Sequence, residues 1–166
     1  MTTWRWALGF AFCVPSVLAA ADRNLLQNPG FEEGAAGWQM DRFHTLMTNP
    51  AAAASGRVCL LGETTAPQQA ARLIQSVEVR SNRIYRFRVR ARGTRGVFMA
   101  LFGRLPSDRE RRRIASWDRI TSQWSIYEAP PISPATDGTM TLELVCPSSF
   151  SGEPGRLWVD DLELLE

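Results

Sequence analysis

Ile84-Tyr85-Arg86-Phe87-Arg88-Val89-Arg90-Ala91-Arg92 alternates without a break between apolar side chains and arginine once past Ile84. Successive side chains on a strand point to opposite faces, so the pattern predicts a half-buried strand. Tyr85, Phe87, Val89 and Ala91 would face a core, and Arg86, Arg88, Arg90 and Arg92 would face water. On its N-terminal side Ser81-Asn82 is a turn signal, and before it Gln75–Arg80 repeats the alternation with Val77 and Val79 on the apolar side. On its C-terminal side Gly93-Thr94 precedes Val97–Phe102, apolar at every position and therefore expected as a more central or doubly covered strand. Trp124 with Ile126, then Met140, Leu142, Leu144 and Cys146, then Leu157–Leu164 give three more strands. Turn chemistry separates them at Pro130-Pro131, Asp137-Gly138 and Gly152–Gly155. Short strands spaced by such turns predict an all-β sandwich or barrel. Ala66–Ala71 and Asp108–Arg113 carry the only helical signals, and the second reads equally as a charged loop.

The 166 residues suit one domain. Residues 1–21 have the parts of a secretory signal peptide: Arg5, the apolar run Trp6–Val14, a break at Pro15-Ser16, and small residues at Ala19, Ala20 and Ala21. That run is shorter than the roughly 20 residues a bilayer requires, and no later stretch is apolar enough to span one. Cleavage after Ala19 or Ala21 would leave residues 22–166 as a secreted or periplasmic domain. A formal net charge of +2 gives no bulk electrostatic reason to expect a nucleic-acid partner. The chain has no lysine, so apart from His44 every side-chain cation is an arginine, whose planar fork suits carboxylates, phosphates and sugar hydroxyls. Beyond the leader, Cys59 and Cys146 remain. An even count in an exported chain invites a disulfide; the alternative is two buried free thiols packed as small hydrophobes.

The two ends carry further motifs. Asn24-Leu25-Leu26-Gln27-Asn28-Pro29-Gly30-Phe31-Glu32, followed by Gly37-Trp38, stands near the start. Leu157-Trp158-Val159-Asp160-Asp161-Leu162-Glu163-Leu164 stands near the end. This pair resembles the carbohydrate-binding modules of the xylan- and β-glucan-binding families. Three internal segments agree in order: Ser55–Leu60 as a strand entry, Gln75–Val77 with Tyr85–Ala91 as a central hairpin, and Thr121–Tyr127 as a Thr-x-x-Trp-x-x-Tyr segment. The resemblance implies a galactose-binding-like jelly-roll β-sandwich of two antiparallel sheets, with the first and last strands as neighbours. It also implies a structural calcium held by Glu32 and Asp160 with backbone carbonyls, Asp161 substituting if the register differs by one. Read by themselves, the same carboxylates would cap turns or pair with arginines. Asn28-Pro29-Gly30 is a turn that should deliver Phe31 to the core, with Trp38 and Trp124 packing beneath their strands.

No catalytic constellation emerges, and the chain is expected not to be an enzyme. A single His44 cannot build a His-based zinc site or a familiar nucleophile–base pair, and no nucleophile-elbow, Cys-x-x-Cys or phosphate-loop motif is present. Adjacent carboxylates at Glu32-Glu33 and Asp160-Asp161 point to opposite faces of a strand; a glycosidase built from distant carboxylates is the minor alternative. Binding is the better-supported role. Trp117, Phe98 and Phe102 are the candidate stacking platforms, provided that Phe98 and Phe102 face out rather than Val97, Met99 and Leu101; the plain alternative is that both sets are buried. Arg86, Arg88, Arg90 and Arg92 form a stripe at about 7 Å spacing, the first three being the candidate ligand contacts, with Arg109, Arg111, Arg112 and Arg113 as a basic loop. Such a stripe either pairs with acids across strands or offers forks to an acidic glycan. The reading is an exported, monomeric, non-catalytic module whose partner is a polysaccharide or other glycan. Its rival is a secreted structural or protein-interaction domain of the same fold.

Overall fold

The structure is a computed structural model that describes residues 23–66, 69–147 and 155–166; the expected signal peptide lies outside these residues. In chain order the strands are β1 (Gln39–Met40), β2 (His44–Met47), β3 (Cys59–Thr64), β4 (Ala70–Val79) and β5 (Arg86–Gly93). They continue with β6 (Met99–Arg104), β7 (Arg112–Trp117), β8 (Ser125–Glu128), β9 (Gly138–Pro147) and β10 (Gly155–Leu165). Two five-stranded sheets result, ordered β1-β4-β9-β6-β7 and β2-β3-β10-β5-β8. Every pairing is antiparallel. From β3 onward the chain changes sheet at each connection except β6–β7, which is the all-β jelly-roll expected.

That crossing pattern corrects one expectation. Gln75–Val77 and Tyr85–Ala91 are not a hairpin, because β4 and β5 belong to different sheets and the Ser81-Asn82 turn carries the chain from one to the other. Neither helical signal survives either. β4 begins at Ala70, Asp108–Arg113 leads into β7, and the described residues contain no helix.

The core lies between the sheets and follows the alternation. Phe87, Val89 and Ala91 of β5 face Met140, Leu142, Leu144 and Cys146 of β9 across it, with Leu73, Val77 and Val79 of β4 beside them, all buried. Burying each of the larger side chains contributes about 1.5–3 kcal/mol. In β6, Gly103 makes room for a neighbour, since a Cβ there would sit 2.5 Å from Cδ1 of Ile114. On β10 the phase changes: Val159 and Leu162 are both buried, and the pairing with β5 slips between Asp160 and Glu163. This bulge, with Asp161 at φ 45°, accommodates two consecutive acids in a strand whose remaining phase is apolar.

The N-terminal segment lies against β10, as the resemblance implied. The Asn24 side chain donates to Leu162 O (3.0 Å) and accepts from Leu164 N (2.9 Å), and Leu162 N donates to Pro29 O (3.1 Å). Asn28-Pro29-Gly30 turns the chain so that Phe31 is wholly buried, 5.7 Å from the Trp38 ring centroid. Trp38 Nε1 donates to Asn28 O (3.0 Å). Trp124 does not pack beneath its strand as expected. It is half-buried and stacks on Arg92 (5.2 Å), whose other face meets Trp158 (4.9 Å).

Cys59 and Cys146 are both free and buried, which corrects the expected disulfide. Leu60, Gly62 and Thr64 are the core-facing residues of β3, and a Cβ at Gly62 would lie 3.5 Å from the Cys146 Cβ. Cys59 has the opposite phase, and its Sγ reaches Ala52 O (3.5 Å) on the outer face. Sulfurs on opposite sides of one strand cannot bridge without backbone movement. Burial pushes the Cys59 thiol up to about 11, with Asp160 adding to the shift and Arg92 opposing it; complete burial raises Cys146 as well.

His44 on β2 is the one histidine, with 1 % of its side chain exposed and Nδ1 3.0 Å from Asp41 Oδ1. Its Nε2 is buried without a hydrogen-bond partner. Burial lowers its pKa below 6.5, against the opposing pull of Asp41. The folded chain therefore takes up this proton less readily than the unfolded chain. Stability from the neutral ring is present above pH 6.5 and is lost as pH falls from there toward the folded pKa, by at most about 1.4 kcal/mol per pH unit. Urea midpoints between pH 7.5 and 5.5 should decline in the wild type and flatten in His44→Gln.

Candidate functional site

The sheet containing β9, β6 and β7 presents its outer face to solvent. Along β6 and the two residues before it, the buried Val97, Met99 and Leu101 alternate with Phe98, Ala100 and Phe102, so the second set turns away from the core. Thr141 and Glu143 of β9 lie beside it, Glu143 being the cross-strand partner of Phe102. A groove of about 530 Å³ opens here, lined by Phe102, Arg104, Arg109, Arg111, Thr141 and Glu143 among others. Phe102 is half-buried on its floor, and the Arg111 guanidinium lies over the ring at 4.7 Å.

Glu143 organises this floor. It is 8 % exposed and forms an ion pair with Arg111 on one side, while Arg72 Nε of β4 lies 3.6 Å away on the other. One Glu143 oxygen has no hydrogen bond. The Glu143 ion pair with Arg111 positions that guanidinium over Phe102. The sequence reading picked out Phe98 and Phe102 but overlooked Glu143, Thr141 and Arg72. The signal was available, since a single carboxylate between leucines in Leu142-Glu143-Leu144 must occupy the outward phase.

The remaining expected binding residues lie elsewhere. Trp117 pairs with Met99 on the inward phase of β7 and packs edge-on against Tyr127 (6.2 Å), closing the space between the sheets. Its ring is a wall of the core rather than a platform beside Phe102. Arg86, Arg88 and Arg90 are on the outer face of β5, in the opposite sheet, so the aromatic and arginine sets cannot form one site. Arg88 donates to Glu163 (Nε–Oε2 2.8 Å) and approaches Glu128 (4.0 Å); Arg90 Nη1 is 3.5 Å from Asp161. Cross-strand acids therefore neutralise Arg88 and Arg90, while Arg86 is exposed and, among the described residues, forms no ion pair. A cavity of about 410 Å³ beside them is lined by both charges, including Asp161 and Glu163, and by the exposed Ile126.

Glu32 and Asp160 do converge, on the loop before β3. Glu32 Oε1 accepts from Arg57 N (2.7 Å) and Val58 N (3.0 Å), and these bonds lower its pKa. Asp160 Oδ2 accepts from Ala54 N (2.9 Å) and Ser55 N (3.2 Å), and Oδ1 from Asp161 N (2.8 Å). Ser55 Oγ donates to Asp161 Oδ1. Asp160 is fully buried and, among the described residues, forms no ion pair; burial pushes its carboxyl above the ordinary range, with these N–H bonds opposing. A buried carboxylate short of positive charge suits an oxygen-bound cation, and calcium tolerates an irregular shell. Among the described residues no group of three or more His, Cys, Asp and Glu is placed to hold a metal. Side chains would thus give only Glu32 and Asp160, and main-chain carbonyls the rest.

No protein-family model matches the chain, and no curated protein matches it. Solved structures do. TmCBM61 in complex with beta-1,4-galactotriose aligns at a TM-score of 0.64 and 22 % identity, over 86 % of this chain and 97 % of that one. A family 16 carbohydrate-binding module aligns at 0.63 and 17 % identity, over 86 % and 100 %. The CBM22-1 xylan-binding domain from Paenibacillus barcinonensis Xyn10C aligns at 0.63 and 16 % identity, over 89 % and 96 %. At these identities the likeness establishes architecture, and it spans nearly the whole length of each of these modules. The chain has the two-sheet jelly-roll fold of the carbohydrate-binding modules.

Proposed function

We propose that this protein is an exported, non-catalytic module that binds a polysaccharide in the groove over β9, β6 and β7. The observation that carries the reading is the groove itself: an aromatic floor at Phe102 bordered by Thr141, Glu143 and arginine forks, the mix of apolar and hydrogen-bonding groups that a sugar ring takes. Glu143 lies between two arginines, Arg72 and Arg111, which suits it to organising the floor of the groove. On a panel of polysaccharide affinity gels, Phe102→Ala should weaken retention about tenfold at an unchanged melting temperature. Retention that survives this change but is lost in Arg88→Gln/Arg90→Gln would move the ligand to the opposite sheet. No retention on any gel would favour the rival interaction domain, for which the exposed Ile126 on edge strand β8 is the specific feature. Export rests on residues 1–21, and N-terminal sequencing of the exported form should begin at Ala20 or Asp22.

The same proposal includes calcium at the Glu32–Asp160 clasp, in a structural role distant from the groove. Removing an ion bound at about a hundred times its dissociation constant costs about 2.7 kcal/mol. Chelator should therefore lower the melting temperature by roughly 5–10 °C, restored by added calcium. An unchanged melting temperature would mean that the N–H bonds close the clasp unaided.

A further inference from the structure

Granted that this groove is the ligand face, we propose that it selects an anionic polysaccharide, one bearing uronate carboxylates or sulfate esters. Three guanidiniums, from Arg104, Arg109 and Arg111, line it against two carboxylates, Glu110 and Glu143, and a fourth, Arg72, reaches Glu143 from β4. Arg72 and Arg111 share Glu143. Arg104 and Arg109 are exposed and, among the described residues, form no ion pair, which leaves their forks for a ligand. Bidentate N–H donation to carboxylate or sulfate is the interaction such forks make best.

The aromatic surface points the same way. Arg111 covers one face of Phe102, so a neutral sugar must displace a guanidinium held by Glu143 before it can stack on that face. An anionic residue instead meets Arg111 in place, because Glu143 engages only part of a five-donor fork. Phe102 is half-buried and is the one aromatic residue among those lining the groove, so stacking surface is limited there. The opposite sheet differs: acids neutralise Arg88 and Arg90 there. Single-stranded nucleic acid, the other polyanion, needs a row of stacking surfaces for its bases, and the groove lining holds one aromatic ring, Phe102.

The test is affinity electrophoresis of the full chain in gels containing alginate, dextran sulfate or neutral xylan, at low and high salt, with single-stranded DNA titrated separately. Alginate or dextran sulfate should retard the protein more than xylan does, salt should weaken the retardation, and Arg104→Gln/Arg109→Gln should reduce it at least tenfold. Arg86 and Arg95, the latter between β5 and β6, are exposed and absent from the groove lining, so Arg86→Gln/Arg95→Gln removes the same charge elsewhere and should leave retardation within twofold. The difference between the alginate and dextran sulfate gels identifies the anion. Equal loss in both double variants, stronger binding of DNA, or salt-insensitive preference for xylan each overturns anion selection. Preference for xylan that Phe102→Ala abolishes would overturn it while keeping the groove as the ligand face. Binding of any glycan that is indifferent to Phe102→Ala would remove the groove itself.

Discussion

Asp160→Ala should lower the melting temperature by roughly 10–15 °C, because the substitution strips acceptors from three backbone N–H groups at once. The wild-type carboxylate is fully buried and collects Ala54 N, Ser55 N and Asp161 N. Alanine offers nothing to these donors, and each one left unsatisfied inside the protein costs about 1–3 kcal/mol. Breaking a buried polar network of this kind typically costs about 3–5 kcal/mol in total, since the loop relaxes and water reaches part of it. For a domain of this size 1 kcal/mol corresponds to about 2–4 °C. Asp160→Asn should fall between wild type and alanine, since its amide keeps one acceptor oxygen but turns an NH2 toward the same donors. Scanning fluorimetry of the three proteins checks the order. If calcium occupies the clasp, chelator should shift wild type strongly and Asp160→Ala hardly at all. A midpoint change under 3 °C in Asp160→Ala would show that the loop before β3 holds itself.

How much of this was legible depended on whether the deciding contacts were local. β5, β9 and β10 could be read because each buries one face and exposes the other, so alternation in sequence is burial in space. β1 is two residues long, β2 is an edge strand without clean alternation, and the alternation of β7 is blurred by Arg112-Arg113 and a bulge in its pairing with β6. Strand partners were harder still. β4 and β5 are neighbours in sequence but lie in different sheets, and a turn signal says that the chain reverses without saying on which layer it lands. The site shows the same division. Phe98 and Phe102 share a phase, which is local; that this phase faces a groove depends on β9 and the loop before β7 supplying Glu143 and Arg111. The expected disulfide failed for a comparable reason. Cys59 sits one residue out of phase with Leu60 and Gly62, so it lies on the far side of β3 from Cys146.

Phe31→Ala is expected to have an effect of the same order. Phe31 is wholly buried against Trp38, and truncating a buried phenylalanine to alanine costs about 3–5 kcal/mol in lost transfer energy and cavity. The backbone makes matters worse, since Phe31 holds φ at 59°, a left-handed conformation that packing maintains and that alanine favours no better. Phe31→Leu should recover part of the loss by refilling the space. The more telling measurement is the double variant with Asp160→Ala. Pro29 O accepts from Leu162 N, and Glu32 and Asp160 grip the same loop, so the N-terminal turn and the β10 bulge share partners. Residues that share partners couple by about 0.5–3 kcal/mol, whereas independent sites add within about 0.5 kcal/mol. The double variant should therefore be more stable than the two separate losses predict, because whichever change comes first already loosens what the second would release. Strict additivity in urea unfolding would mean that the two motifs which mark this fold in the sequence stabilise it separately, and that the clasp between the chain's ends is proximity without cooperation.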